Sequence, residues 1–373
     1  MAQEWGWLYH IFREELLMKK RWTSFLVMGL ILILALSTGC SKAAPNAGSS
    51  DSAAKPADQS KPADQGKSQA KITLKFATTV EDAGIDHAIT QELKKRLGEL
   101  SGGTMDVNLF MSGQMGDEKQ ALELLKLGEL DLGYNAIQGD LYYKDLNAVA
   151  VPFVFPNIEA TERFMAGPTG DKIKEALLQR GGVRYLGMFD LGPRYFTSNK
   201  PFKNVDEMKK LKIRLPQIQS WIEVFKQIGA APTPIAATEI VTALKTGTVN
   251  GQENFLNNIY ARQMWEYQKY LVATDHVRLP QTWLVSDKTW QKLNDQQKKW
   301  LQQSVTDAIA YVQPQVDQMN ADFLKKLQDK GMVLIQPDRD SFVKAAGPAL
   351  EKILKKDMAP GVYESAMKAI KGQ

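Results

Sequence analysis

The chain has 373 residues, 44% of them hydrophobic, which leaves room for two domains with a sizeable core. Its formal net charge of +5 is mild for that length, and no basic block with interleaved aromatics occurs, so a nucleic-acid-binding role is excluded. One cysteine, Cys40, and three scattered histidines, His10, His87 and His276, exclude a disulfide framework and a histidine-rich metal site.

The N-terminus reads as a targeting segment. Lys19, Lys20 and Arg21 precede an apolar run from Phe25 to Leu36, and Ser37-Thr38-Gly39-Cys40 follows. A cationic start, a short apolar core and small residues at its end make a secretory signal, expected over 1–39. Glu4, Glu14 and Glu15 do not suit a signal's first segment, which favours Met18 as the true start. Cys40 lies where the signal stops and resembles the lipid-accepting cysteine of bacterial lipoproteins, with Ser37 where those usually carry Leu. The stretch 40–70 is rich in Ala, Ser, Lys, Pro, Asp and Gln without apolar periodicity, and repeats Lys-Pro-Ala-Asp-Gln at Lys55 and Lys61. That composition predicts a disordered tether spanning on the order of 30 Å.

From Lys71 the pattern changes. Ile72, Leu74 and Phe76 alternate as in a strand, and Ile89, Leu93, Leu97 and Leu100 share one helical face. Met105 to Phe110 reads as a strand, Glu118 to Leu127 as a helix closed by Gly128, and Leu130 to Tyr134 as a further strand. Strands are again predicted at 184–189 and 212–215, a helix at 220–228, an extended link at 232–235 and a helix at 239–246. This alternation predicts an α/β fold rich in parallel strands. Beyond Asp287 the character becomes long helix, restarting at Asn294-Asp295 and kinked by Pro314, either bridging two lobes or packing plainly.

The chemistry-bearing stretch runs from Gly187 to Asn254. Arg214 sits in Leu211-Lys-Ile-Arg-Leu215, a strand that Pro216 must end. A buried arginine at a strand end needs an anion, because an unpaired charge there loses hydration without compensation. That anion is either an internal carboxylate or a ligand. Arg194 follows Gly192-Pro193, with Asp190 as a nearby competitor for it, and Asn254 either binds or caps its own backbone. Glu253 would repel a bound carboxylate and is expected to turn away and pair with a cation.

These motifs, in order, resemble those of the solute-binding subunits of tripartite ATP-independent periplasmic (TRAP) transporters of the dicarboxylate-receptor type. Carrying the resemblance are Ser112-Gly-Gln-Met-Gly116 with Leu124 to Asp131, Gly192-Pro-Arg194 with Lys212-Ile-Arg214-Leu-Pro216, and Glu239 with Ala243 to Gly247 and Gly251-Gln-Glu-Asn254. Lys210 departs from it, standing where the family usually has Gly. The resemblance implies a two-lobed periplasmic-binding-protein-like fold with a cleft between lobes and a long bridging helix. The expected division is lobe 1 at 71–191, lobe 2 at 192–279, a return to lobe 1 at 280–320, and C-terminal helices on lobe 2 at 321–373. It further implies a carboxylate clamped mainly by Arg214 and assisted by Arg194 and Asn254. A guanidinium offers a planar fork that matches a carboxylate, and an amide donates without adding charge. Secondary candidates are Asn135, aligned with Asn254 by a weak internal repeat, and Tyr134, Phe153 and Trp283, which either wall the cleft or fill the core.

The implied protein is not an enzyme and needs no cofactor. It is an extracytoplasmic lipoprotein that captures a small organic acid and hands it to membrane permease subunits. The alternatives are the ligand-sensing domain of a signalling system and a secreted hydrolase; for the latter no spacing picks out a catalytic pair.

Overall fold

The computed structural model describes residues 71–136 and 144–372, without the side chains of Asn135, Ala136 and Lys144. The signal, the tether and Cys40 lie outside the described residues, as does the side chain of Asn135. In chain order the strands are β1 (Ile72–Ala77), β2 (Met105–Phe110), β3 (Leu132–Ala136), β4 (Val183–Phe189), β5 (Arg194–Ser198) and β6 (Lys212–Leu215). They continue as β7 (Ala231–Pro234), β8 (Gly251–Phe255), β9 (Tyr270–Val272), β10 (Gln281–Ser286) and β11 (Val333–Ile335).

They form two sheets. The first has the order β2-β1-β3-β10-β4 and the second β11-β9-β5-β8-β6-β7. The chain enters the second sheet between β4 and β5 and returns to the first between β9 and β10. Local signals explain the elements. Leu74 and Phe76 of β1 are buried at alternate positions, and helix Gly84–Leu100 buries Ile85, Ile89, Leu93 and Leu97 at helical spacing. Helix Glu118–Leu127 starts in a capping box between Asp117 and Gln120 and stops where Gly128 turns left-handed at φ 76°.

The extended link expected at 232–235 is instead a strand. Ala231 and Ile235 donate to Leu211 and Leu215 beside β6, and the intervening Pro232 and Pro234 fall where an N–H would point to solvent. An edge strand tolerates proline at just those positions.

The long helical region passes from one sheet to the other. Asn294 caps helix Asp295–Val312, which packs on Gly84–Leu100 of the first sheet. Pro314 sits in the 3-10 turn Gln313–Gln315, and helix Val316–Asp329 then packs on Leu256–Ala261 of the second. The first two of the three connections between sheets are tied together: Arg278 pairs with Asp190 at 2.8 Å, and Arg194 N donates to the Val277 carbonyl at 3.3 Å. Asn320 of the crossing helix donates to the Leu191 carbonyl at 3.0 Å. Next to it Gly192 has φ 90°, and a Cβ there would lie 2.2 Å from Asn320 Nδ2, so no larger residue fits.

The two C-terminal helices pack on different partners. Arg339–Lys352 covers helix Gln219–Ile228, but Val362–Ile370 packs on Ile158–Ala166, where Arg163 donates to the Ala369 carbonyl.

Candidate functional site

Three strands of the second sheet deliver the principal candidates to one end. Arg214 lies near the C-terminal end of β6, Asn254 near that of β8, and Arg194 starts the antiparallel β5. Register fixes this: Arg214 lies beside Gln252, Tyr195 opposite Asn254 and Arg194 opposite Phe255. Carboxyl ends of parallel strands are the usual ligand edge of an open α/β sheet.

The two arginines are treated differently. Arg194 is 6% exposed and grips Glu253 with both arms of its fork, Nε to Oε2 at 2.5 Å and Nη2 to Oε1 at 3.1 Å. Its guanidinium also lies over the Phe255 ring at 4.4 Å. The Glu253 carboxylate is completed by His276, whose Nε2 is 3.3 Å from Oε2 while Nδ1 meets the Thr274 hydroxyl at 2.8 Å. Burial pushes Glu253 up, but Arg194 and the His276 hydrogen bond outweigh it and hold the carboxyl at about 2. Burial lowers His276, whose ring is enclosed by Phe196, Phe225 and Trp221. A neutral ring satisfies both contacts only by donating from Nε2 and accepting at Nδ1.

Arg214 is 2% exposed, and Nε donates to the Ile235 carbonyl at 2.8 Å. Among the described residues no carboxylate forms an ion pair with it, and neither terminal amino group has a hydrogen bond. Desolvation lowers it to about 10, against the pull of Glu253 and Glu118, so it stays charged at neutral pH. Among the described residues half of its fork is thus unused, and a buried cation in that state would gain from an anion.

Asn254 is buried and partly committed. Its Oδ1 accepts from Phe255 N at 3.0 Å and Asn258 Nδ2 at 3.4 Å, and its Nδ2 contacts Gln252 only at 3.5 Å. Backbone capping, one of the two alternatives for it, is therefore present.

Sequence reading missed a third arginine. Arg262 is paired with Glu81 at 3.0 Å, donates to the Thr79 carbonyl at 3.0 Å, and also donates to the Ala237 carbonyl. It therefore fastens the turn after β1 to the turn after β7. Its position just past helix Leu256–Ala261 carries no motif, so only the tertiary contact reveals it. Asp190, the foreseen competitor for Arg194, serves Arg278 instead. Glu253 turns to a cation as expected, and that cation is Arg194.

The secondary candidates are enclosed. Tyr134 and Trp283 are fully buried with Phe76 and Phe189 in one aromatic cluster, and the Tyr134 hydroxyl donates to Asp86 at 2.8 Å. Phe153 has φ 64° and packs on Phe225 and His276. Asn135 belongs to β3 itself, paired with Thr282, rather than to a loop beyond it. Among the described residues no cluster of three or more His, Cys, Asp or Glu side chains could hold a metal ion.

Comparison with known proteins identifies the family and the fold. Residues 76–357 match the family described as bacterial extracellular solute-binding protein, family 7. The sialic acid-binding periplasmic protein of Vibrio cholerae is 30% identical over 280 residues, 75% of this chain and 87% of that one. The C4-dicarboxylate-binding periplasmic protein of the same organism is 27% identical over 282 residues, 74% and 84% of the two chains. A crystal structure of a TRAP periplasmic solute-binding protein from Roseobacter denitrificans with bound L-galactonate superposes with a TM-score of 0.75 and 25% identity. It covers 81% of this chain and 99% of that one. Those solved relatives are two-lobed, and members of the family bind solutes rather than transform them. With its two α/β sheets and three inter-sheet connections, the chain belongs to bacterial extracellular solute-binding protein family 7, the solute-binding proteins of TRAP transporters.

Proposed function

We propose that the protein captures a small organic acid by its carboxylate through Arg214 and passes it to the permease subunits of a TRAP transporter, while lipidated Cys40 holds it at the membrane. The observation that carries this reading is the buried Arg214 fork, charged and without a carboxylate partner among the described residues. The relatives support it: their bound or named solutes, sialic acid, C4-dicarboxylates and L-galactonate, are all carboxylates. Arg194 acts less as a clamp than as a support, because Glu253 occupies most of its donors. Asn254 supplies a neutral donor beside the carboxylate.

Calorimetry with acids found in a thermal-shift screen tests the clamp. Arg214→Ala should cost roughly 2–5 kcal/mol of binding, and Arg214→Lys should recover only part, since a point charge lacks the fork. Unchanged affinity in folded Arg214→Ala would remove the site. The anchor is tested separately by fractionating cells that express Cys40→Ser. A variant as membrane-bound as the wild type places the attachment elsewhere.

A further inference from the structure

The charges around Arg214 bear on what kind of acid fits, given the carboxylate reading above, on which this inference rests. Three arginines and three glutamates meet at the junction. Arg194 is neutralised by direct contact with Glu253, and Arg262 by direct contact with Glu81. This leaves Arg214 and Glu118. Arg214 lies on β6 and Glu118 starts helix Glu118–Leu127, but one chain of contacts joins them. Arg214 bonds the Ile235 carbonyl, Arg262 bonds the carbonyls of Ala237 and Thr79, and the Thr79 hydroxyl donates to Glu118 Oε1 at 3.0 Å. The loop before Glu118 is equally close, since a Cβ on Gly113 would lie 2.7 Å from the Thr238 methyl. Glu118 is half-buried, and its Oε2 has no hydrogen bond among the described residues. Glu81 is in turn spent on Arg262 and on the Ser112 hydroxyl at 2.6 Å.

Among the described residues one cation is therefore open, and Glu118 lies close enough to act on its charge. A first carboxylate at Arg214 meets an unsatisfied charge. A second one, reaching Glu118, would find no unpaired arginine among the described residues to neutralise it, and like charges held close in a desolvated site are costly. A hydroxyl in the same place would donate to the carboxylate oxygen that Glu118 leaves open. We infer that the site selects monocarboxylates whose tail carries hydroxyl donors and rejects dicarboxylates of the same length, with Arg214 reading the acid and Glu118 reading the tail.

The test compares acids that differ only in the terminal group. D-erythronate and meso-tartrate form one pair, D-galactonate and galactarate another; in each, a terminal CH2OH becomes a carboxylate. Calorimetry is run on the wild type and on Glu118→Gln, with circular dichroism and melting confirming that the variant folds. At least one monoacid should bind at least tenfold more tightly than its diacid partner, and Glu118→Gln should shrink that ratio several-fold. A diacid that binds as tightly as its monoacid overturns the inference while leaving the carboxylate reading standing. A preference that Glu118→Gln leaves intact overturns the role of Glu118. If neither acid of any pair binds, nor any dicarboxylate or uronate in a thermal-shift panel, the carboxylate reading fails and this inference falls with it.

Discussion

Arg194 and Arg214 stand at the same end of one sheet, both buried and two strands apart, yet they do opposite work. Arg194 is satisfied internally: Glu253 fills its fork, His276 backs Glu253, and aromatic rings enclose the group. Arg214 is held by one backbone carbonyl and keeps its outer donors unused among the described residues. The difference teaches that burial of a cation at a cleft is not itself a binding signal. What matters is whether the fold has already supplied its counter-ion, because only an uncompensated charge gains much from an incoming anion.

Stability without ligand is the sharpest way to break that comparison. Removing the counter-ion with Glu253→Ala strands a buried guanidinium and should cost about 3–5 kcal/mol, read as denaturant midpoint and melting temperature. Arg214→Ala removes a charge that lacks a carboxylate partner among the described residues, so ligand-free stability should change by no more than about 1 kcal/mol, or rise. Equal losses in the two variants would mean that Arg214 is as structural as Arg194. Acid titration adds a signature. The Glu253 carboxyl is held at about 2, below its unfolded value, so its contribution is present above the ordinary glutamate range and is lost as pH falls towards 2.

A buried carboxylate with no cation beside it among the described residues extends the comparison. Asp86 accepts from Tyr134 and, across to the helix after β8, from Asn257 at 2.6 Å; burial pushes it up to about 7. Neighbouring Asp82 and Glu81 reinforce the rise. The sign is opposite to that of Glu253: the stability contributed by holding the proton is fully present below the ordinary aspartate value of 3.8, and is lost as pH rises through about 7. Asp86→Asn should therefore stabilise the protein by about 1–3 kcal/mol at pH 8, with the gain fading under acid. A neutral amide could also pair with Asn257 Oδ1, which has no partner among the described residues. Melting curves across pH that run parallel for wild type and Asp86→Asn would exclude this.

The smallest expected effect concerns the turn that launches Arg214. Lys210 has φ 63° and its N–H bonds the Gly229 carbonyl at 2.9 Å. An L-residue pays for that conformation and glycine does not, so Lys210→Gly should be neutral or stabilising by up to about 1 kcal/mol despite its greater freedom when unfolded. A clear loss of melting temperature would show that the lysine side chain compensates for the strain.

Sequence alone sufficed for the local elements and the residue types at the site. Period-two burial in β1, the capping box at Asp117, the restart at Asn294 and the stop at Pro216 rest on interactions within a few residues, so they are legible in a linear reading. Arg194, Arg214 and Asn254 could likewise be named as groups able to meet a carboxylate. Which of them remains open was decided by tertiary structure. Arg194 and Glu253 are 59 positions apart, and they meet because β5 and β8 pair antiparallel with Phe196 opposite Glu253, which puts both charges diagonally on one face. Asp190 lies only four residues from Arg194, but it is drawn to Arg278 by the second connection between the sheets. Arg262, with no motif around it, gains its role only where the turns after β1 and β7 come together. Charge pairing acts through space over a few ångströms, and strand register, not distance along the chain, sets which groups lie within that range.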